Sequence, residues 1–171
     1  EAKPAQHKAT ILFSGSAHAA ARAAAEELHA NFDVSAELWS ATSYKTLREE
    51  AVVTERWNRL HPTETPRVPR VTELLSQSSG PIVAVTDFVR SVPEQIGRYV
   101  GARTFTPLGT DGMGRSDTRE ALRDHFEVDM PHVVITVLHE LALSGQISKS
   151  VVAEAISRYG IQTETLGALY A

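Results

Sequence analysis

An apolar run ending in glycine, ATILFSG (9–15), is followed by AHAAARAAAEELHANF (17–32), built from strong helix formers, and then by a second short apolar run, VSAELWSA (34–41). Strand, glycine turn, helix and strand in that order make a βαβ unit. Two strands joined through a helix lie parallel, with a right-handed crossover. This restricts the chain to the α/β class before any single residue is weighed.

The remaining segments extend the same pattern. Thr42 or Ser43 is placed to cap a helix running to about Leu60. HPTETPRVP (61–69) carries three prolines in nine residues, which excludes a helix and predicts an extended surface connection, with a short helix at 70–76. PIVAVTD (81–87) reads as a strand, SVPEQIGRYV (91–100) as a helix, and TFTPLGT (104–110) as a fourth strand, placed by Pro107 at a sheet edge or near its own end. Asp117 and Glu120 form a capping-box-like pair ahead of a helix. PHVVITVLHELALSG (131–145) has strand propensity at its centre, but Pro131 suits a first turn and Gly145 a stop, which predicts a helix. Ser148 caps a last helix to Tyr159. The expected architecture is three layers, α/β/α, around a mostly parallel sheet of four to five strands, an extra strand before Ala9 being allowed for. The expected organisation is a linker or cut end (1–8), one domain (9–160) and a tail (161–171).

Several chemistries are excluded or weakened. With 171 residues and a net charge of −4, the chain is one ordinary domain without the basic surface that nucleic acid or an anionic membrane attracts. The absence of cysteine removes disulfides and thiolate metal sites and fits a reducing compartment, so a cytoplasmic location is expected. SGSAHA (14–19) has one glycine where a dinucleotide fingerprint needs three, and it reads as a tight turn. HELAL (139–143) lacks the second histidine of a zinc-protease helix, and the pairs His132/His139 and His18/His29 are too far apart along a helix to share an ion. No GxSxG elbow is present.

LGTDGMGRSDTREALRDHFEVD (108–129) is the stretch with the most chemical promise. It lacks the alternating oxygen ligands of a calcium loop, the GK[ST] of a phosphate loop and the third glycine of GxGxxG. Its glycines permit close backbone approach, which favours a structural or interface role.

This stretch and ERWNRLHPTETPRVP (55–69) closely resemble the C-terminal part of the homodimeric, bacterial-type pyruvate dehydrogenase decarboxylase component. The likeness extends from about Ala9 to about Gly160 and includes PIVAVTDFVRSVPEQIGRYV (81–100) and VVAEAISRYGI (151–161). The resemblance implies a transketolase-like C-terminal domain of a thiamine-diphosphate- and Mg²⁺-dependent enzyme. That enzyme decarboxylates pyruvate and reductively acetylates the lipoyl group of dihydrolipoyl acetyltransferase. It implies that cofactor ligands and catalytic groups lie in two earlier domains, so no catalytic, cofactor or metal residue is expected here. A first residue of Glu1 rather than Met fits a piece of a longer polypeptide. The implied partners are the upstream domains of the same polypeptide, the homodimer partner and the acetyltransferase. The expected interface residues are Gly109, Asp111, Gly112, Gly114, Arg115, Asp117 and Arg119 in the glycine loop, with His61, Pro62 and Pro66 in the proline segment. The competing reading is a docking module for the acetyltransferase, and a nucleotide-binding protein ranks third.

Overall fold

The structure is a computed structural model and describes residues 5–170. The first four residues of the expected cut end, and Ala171 of the tail, lie outside the described residues. Four strands, β1 (His7–Phe13), β2 (Val34–Ser40), β3 (Ile82–Val85) and β4 (Phe105–Leu108), form one sheet in the order β2-β1-β3-β4, with every pair parallel. Of the four to five strands expected, the described residues form four. The pairing of β1 starts at His7, ahead of the apolar run itself.

Alternation along β1 builds the two cores. Ala9, Ile11 and Phe13 face α1 (His18–Phe32), α6 (Met130–Leu143) and α7 (Lys149–Tyr159), together with Val83 and Val85 of β3. Leu12 faces the opposite layer with Ile82 and Ala84, against α2 (Tyr44–Leu60) and α3 (Arg70–Leu75). Continuous burial of Ile82–Val85 follows from helices on both faces. Pro107 sits in the edge strand β4. The carbonyls of Thr104 and Leu108 accept from β3, so Pro107 turns its missing N–H to the open side.

Local signals set most helix boundaries. Ser43 caps α2 by accepting from the Thr46 amide at 3.2 Å, and Ser148 caps α7. The ambiguous 131–145 segment is helical because Asp129 caps it, accepting from the His132 amide, and Pro131 occupies its first turn. Two expectations are corrected. The helix over 91–100 is broken: α4 is only Ser91–Glu94, and a 3₁₀ turn follows at Gly97–Tyr99. These tighter turns, closed by Ile96 N–H to Pro93 O and Tyr99 N–H to Ile96 O, accompany burial of Ile96, Tyr99 and Val100 together. The cap of α5 (Arg119–His125) is Thr118, not Asp117: the Thr118 hydroxyl accepts from the Ala121 amide, while Asp117 accepts from the Thr118 amide at 2.8 Å.

Candidate functional site

The strand order places the topological switch point between β1 and β3, where open α/β sheets tend to bind ligands. The β1–α1 turn there is closed by the protein's own carboxylate. Asp87 accepts from the Ser16 amide at 3.0 Å, and a Cβ on Gly15 would collide with that carboxylate. An external phosphate would meet a negative charge in the place it needs, so SGSAHA is a turn and not a cradle. Arg119 and Arg123 of α5 line the opposite wall of the same cleft.

The glycine loop runs beside this point and is spent largely on contacts within the chain. Gly109 is buried against the backbone of Phe88 and Arg90. Asp111 accepts from the Arg90 amide at 2.9 Å and lies 3.4 Å from its guanidinium. Gly112 has φ +99° and packs on the backbone of Ala168 and Leu169, which ties the loop to the tail. Gly114 has open space around it. The close approach foreseen for these glycines is therefore made inside the chain at Gly109 and Gly112. Arg115 and Asp117 pair at 3.6 Å, both partly in solvent, and Arg115 also meets His125 Nδ1 at 3.3 Å. Arg119 is exposed and has no ion-pair partner among the described residues. The same end of the sheet leaves Phe88, Val89, Leu169, Met113 at 78% and Tyr170 at 77% exposed.

The proline segment lies elsewhere. α2 begins at the carboxyl end of β2 and runs back antiparallel to the strands, so residues 61–69 project at the amino end of the sheet, away from the glycine loop. His61 stacks on Trp57 at 4.4 Å, and Arg67 lies over the Trp57 ring at 3.7 Å. Asn58 clips the loop shut, donating to Arg67 O at 2.9 Å and accepting from its amide at 2.8 Å. Pro62 and Pro66 are thereby held exposed on a braced loop.

Among the described residues one set of possible metal donors converges: Asp124, Asp129 and His132, with ligand atoms within 4.8 Å of one another. Asp129 is already committed, capping α6 and accepting from His132 Nδ1 at 2.6 Å, and Asp124 is exposed. Burial pulls the His132 pKa down, but the Asp129 hydrogen bond and the charges of Asp129, Glu127 and Asp124 outweigh it, leaving it above the ordinary histidine value. The sequence reading missed this pair; its signal was an aspartate three residues before a histidine at a helix start.

A family model described as the transketolase-like TK C-terminal domain matches residues 1–129, and the chain belongs to that family. Within it, the chain is homologous to the C-terminal region of pyruvate dehydrogenase E1 components. It is 45% identical to that of Escherichia coli strain K12 over 157 residues, 92% of this chain and 18% of that one. It is 43% identical to that of Pseudomonas aeruginosa over 162 residues, 95% of this chain and 18% of that one. The chain therefore spans less than a fifth of the length of these curated relatives. A solved structure described as a split gene transketolase, inactive beta4 tetramer, superposes with a TM-score of 0.55 at 18% identity, covering 82% of this chain and 44% of that one. That likeness speaks for the fold alone.

Proposed function

We propose that this chain is the C-terminal assembly domain of a thiamine-diphosphate-dependent pyruvate dehydrogenase (acetyl-transferring), and that it carries no catalytic group of its own. The single observation behind this reading is the 43–45% identity to E1 components along at least nine-tenths of the chain. The whole enzyme decarboxylates pyruvate and reductively acetylates the lipoyl group of dihydrolipoyl acetyltransferase in the cytoplasm.

Thiamine diphosphate and Mg²⁺ belong to the other domains in this reading, because the donor set here does not fit them. The Ser16 amide at the switch point is taken by Asp87, and the Asp129 carboxylate is taken by its own helix. What the chain offers instead is surface. Gly109 and Asp111 hold the glycine loop in place, and Gly112 docks it on the tail. Gly114, Arg115, Asp117 and Arg119 are then presented at the carboxyl end of the sheet, among exposed Phe88, Met113 and Tyr170. Apolar side chains in water favour burial by about 25 cal/mol per Å² covered. His61, Pro62 and Pro66 offer a second surface, whose braced backbone loses little entropy on docking. The occupants are the upstream domains and the homodimer partner.

The test expresses the two upstream domains separately and assays pyruvate decarboxylation with an electron-accepting dye, with and without this chain. Activity or dimerisation that requires the chain supports the assembly role. Full activity of the upstream pair alone discards it and leaves docking of the acetyltransferase, which a pull-down with that protein's subunit-binding domain reads directly. Activity from this chain alone would refute the proposal outright.

A further inference from the structure

A concavity lined mainly by apolar side chains lies away from both loops, on the α2/α3 side of the sheet. It measures about 340 Å³. Leu12 of β1, Trp39 of β2, Leu47 of α2, Val71 and Leu74 of α3, and Ile96 form its walls. We propose that this cleft is a binding site for a small uncharged aromatic molecule of one or two rings carrying a hydroxyl or similar polar group, a function separate from assembly.

The chemistry of the walls selects the ligand. No charged side chain lines the cleft, so a charged ligand would lose its hydration without a counter-ion. The volume falls within the range of small-molecule sites, about 300–1,000 Å³. Trp39 supplies an aromatic surface for ring packing, and its Nε1–H is tied to Glu37 at 3.4 Å. At the mouth stand the hydroxyls of Ser40 and Thr42, which have no partner in the chain among the described residues, whereas those of Ser43 and Thr46 bond each other at 2.9 Å. One polar group on the ligand thus has a partner waiting. The walls are preformed, since Leu12, Val71 and Ile96 belong to the packed second core.

Two features favour a small molecule over a protein surface. The apolar area is confined to the concavity: none of its wall residues is among the strongly exposed hydrophobics, whereas a standard protein interface covers roughly 800 Å² per partner. The Ser40–Ser43 segment also puts the mouth at the carboxyl end of β2, the end of an α/β sheet where ligands enter.

The test titrates the ¹⁵N-labelled chain with benzyl alcohol and, as charged analogues, benzoate and benzylammonium. Saturable shifts are expected at Trp39 Nε1–H and at the amides of Thr42, Leu47 and Leu74, with at least tenfold weaker binding of both charged analogues. Leu74→Trp, which fills the cleft, should abolish saturation. Thr42→Trp at the exposed mouth repeats the block where the first variant folds poorly. Shifts that do not saturate, equal binding of benzoate, or unchanged binding in both variants would overturn the site. Calorimetry on an intact enzyme carrying the domain supplies the last arm. Binding retained there supports the proposal; binding lost there identifies the cleft as an interdomain socket and overturns it.

Discussion

Arg103 joins parts of the chain that no local pattern connects. Its guanidinium donates to Gly80 O at 2.6 Å, Leu75 O at 3.0 Å, Ser78 Oγ at 2.8 Å and Thr10 Oγ1 at 2.5 Å. The end of α3, the turn before β3 and the middle of β1 are thus tied by one side chain. Burial lowers the Arg103 pKa from its ordinary value, but the group stays charged at any relevant pH. Arg103→Ala should cost about 2–3 kcal/mol, since two carbonyls are left without their donor. Arg103→Lys should recover less than half, because an ammonium cannot reproduce the planar fork. Urea unfolding of the three proteins decides this, and an alanine variant of unchanged stability would discard the clasp. His132 makes a pH-dependent contribution. Its folded pKa is raised above the unfolded value, so the stabilisation is fully present below about pH 6.5 and is lost as pH rises through the folded pKa. The difference in melting temperature between the wild type and His132→Asn should therefore shrink from pH 5.5 to pH 8.5; a constant difference would contradict the assignment. The His132 pair had a local signal, Asp129 three residues ahead of it, whereas the Arg103 clasp had none. Arg103 follows a Gly-Ala loop and finds its acceptors 23 to 93 residues away, distances over which sequence carries no local signal.

At the scale of elements, the sequence was most reliable where a periodic pattern met a cap. α1, α2, α6 and α7 fall within a residue or two of their expected spans, because alanine-rich, Ser-capped and Pro-started runs encode their own ends. α4 failed because burial of Ile96, Tyr99 and Val100 outweighed helix propensity. The glycine loop divides in the same way. Gly112→Ala meets both a positive φ and the Ala168 carbonyl, so the tail should detach and the Tyr170 amide, bonded to Gly167 O at 2.9 Å, should exchange faster. Gly114→Val meets nothing inside the chain. It should leave the stability of this chain within about 0.5 kcal/mol and weaken only association with the neighbouring domains or partner subunit. Sedimentation of the assembled enzyme separates the two effects, and a Gly114→Val enzyme that assembles normally would remove that residue from the interface.

For the whole molecule, the parallel topology puts the two proposed surfaces at opposite ends of the sheet, beyond the reach of shared contacts. Arg119→Glu and Pro66→Ala should therefore affect dimer dissociation independently. Their combined effect should equal the sum of the single effects within about 0.5 kcal/mol. Coupling well above that would mean the two loops meet through a common partner segment.

Strand and helix order, the parallel sheet, the edge position of β4 and the lack of a nucleotide or zinc motif all follow from local pattern: alternation, caps, glycine and proline. Their physics acts over a few residues, so the linear chain carries it. Family membership was likewise carried by contiguous strings such as HPTETPRVP and LGTDGMGRSD. The closing of the first turn by Asp87, the clasp of Arg103, the seat of Gly112 on the tail and the apolar cleft beside Trp39 arise only when distant segments pack. Each depends on the direction in which a side chain or backbone group meets a partner brought close by the fold, and that direction has no counterpart in residue spacing.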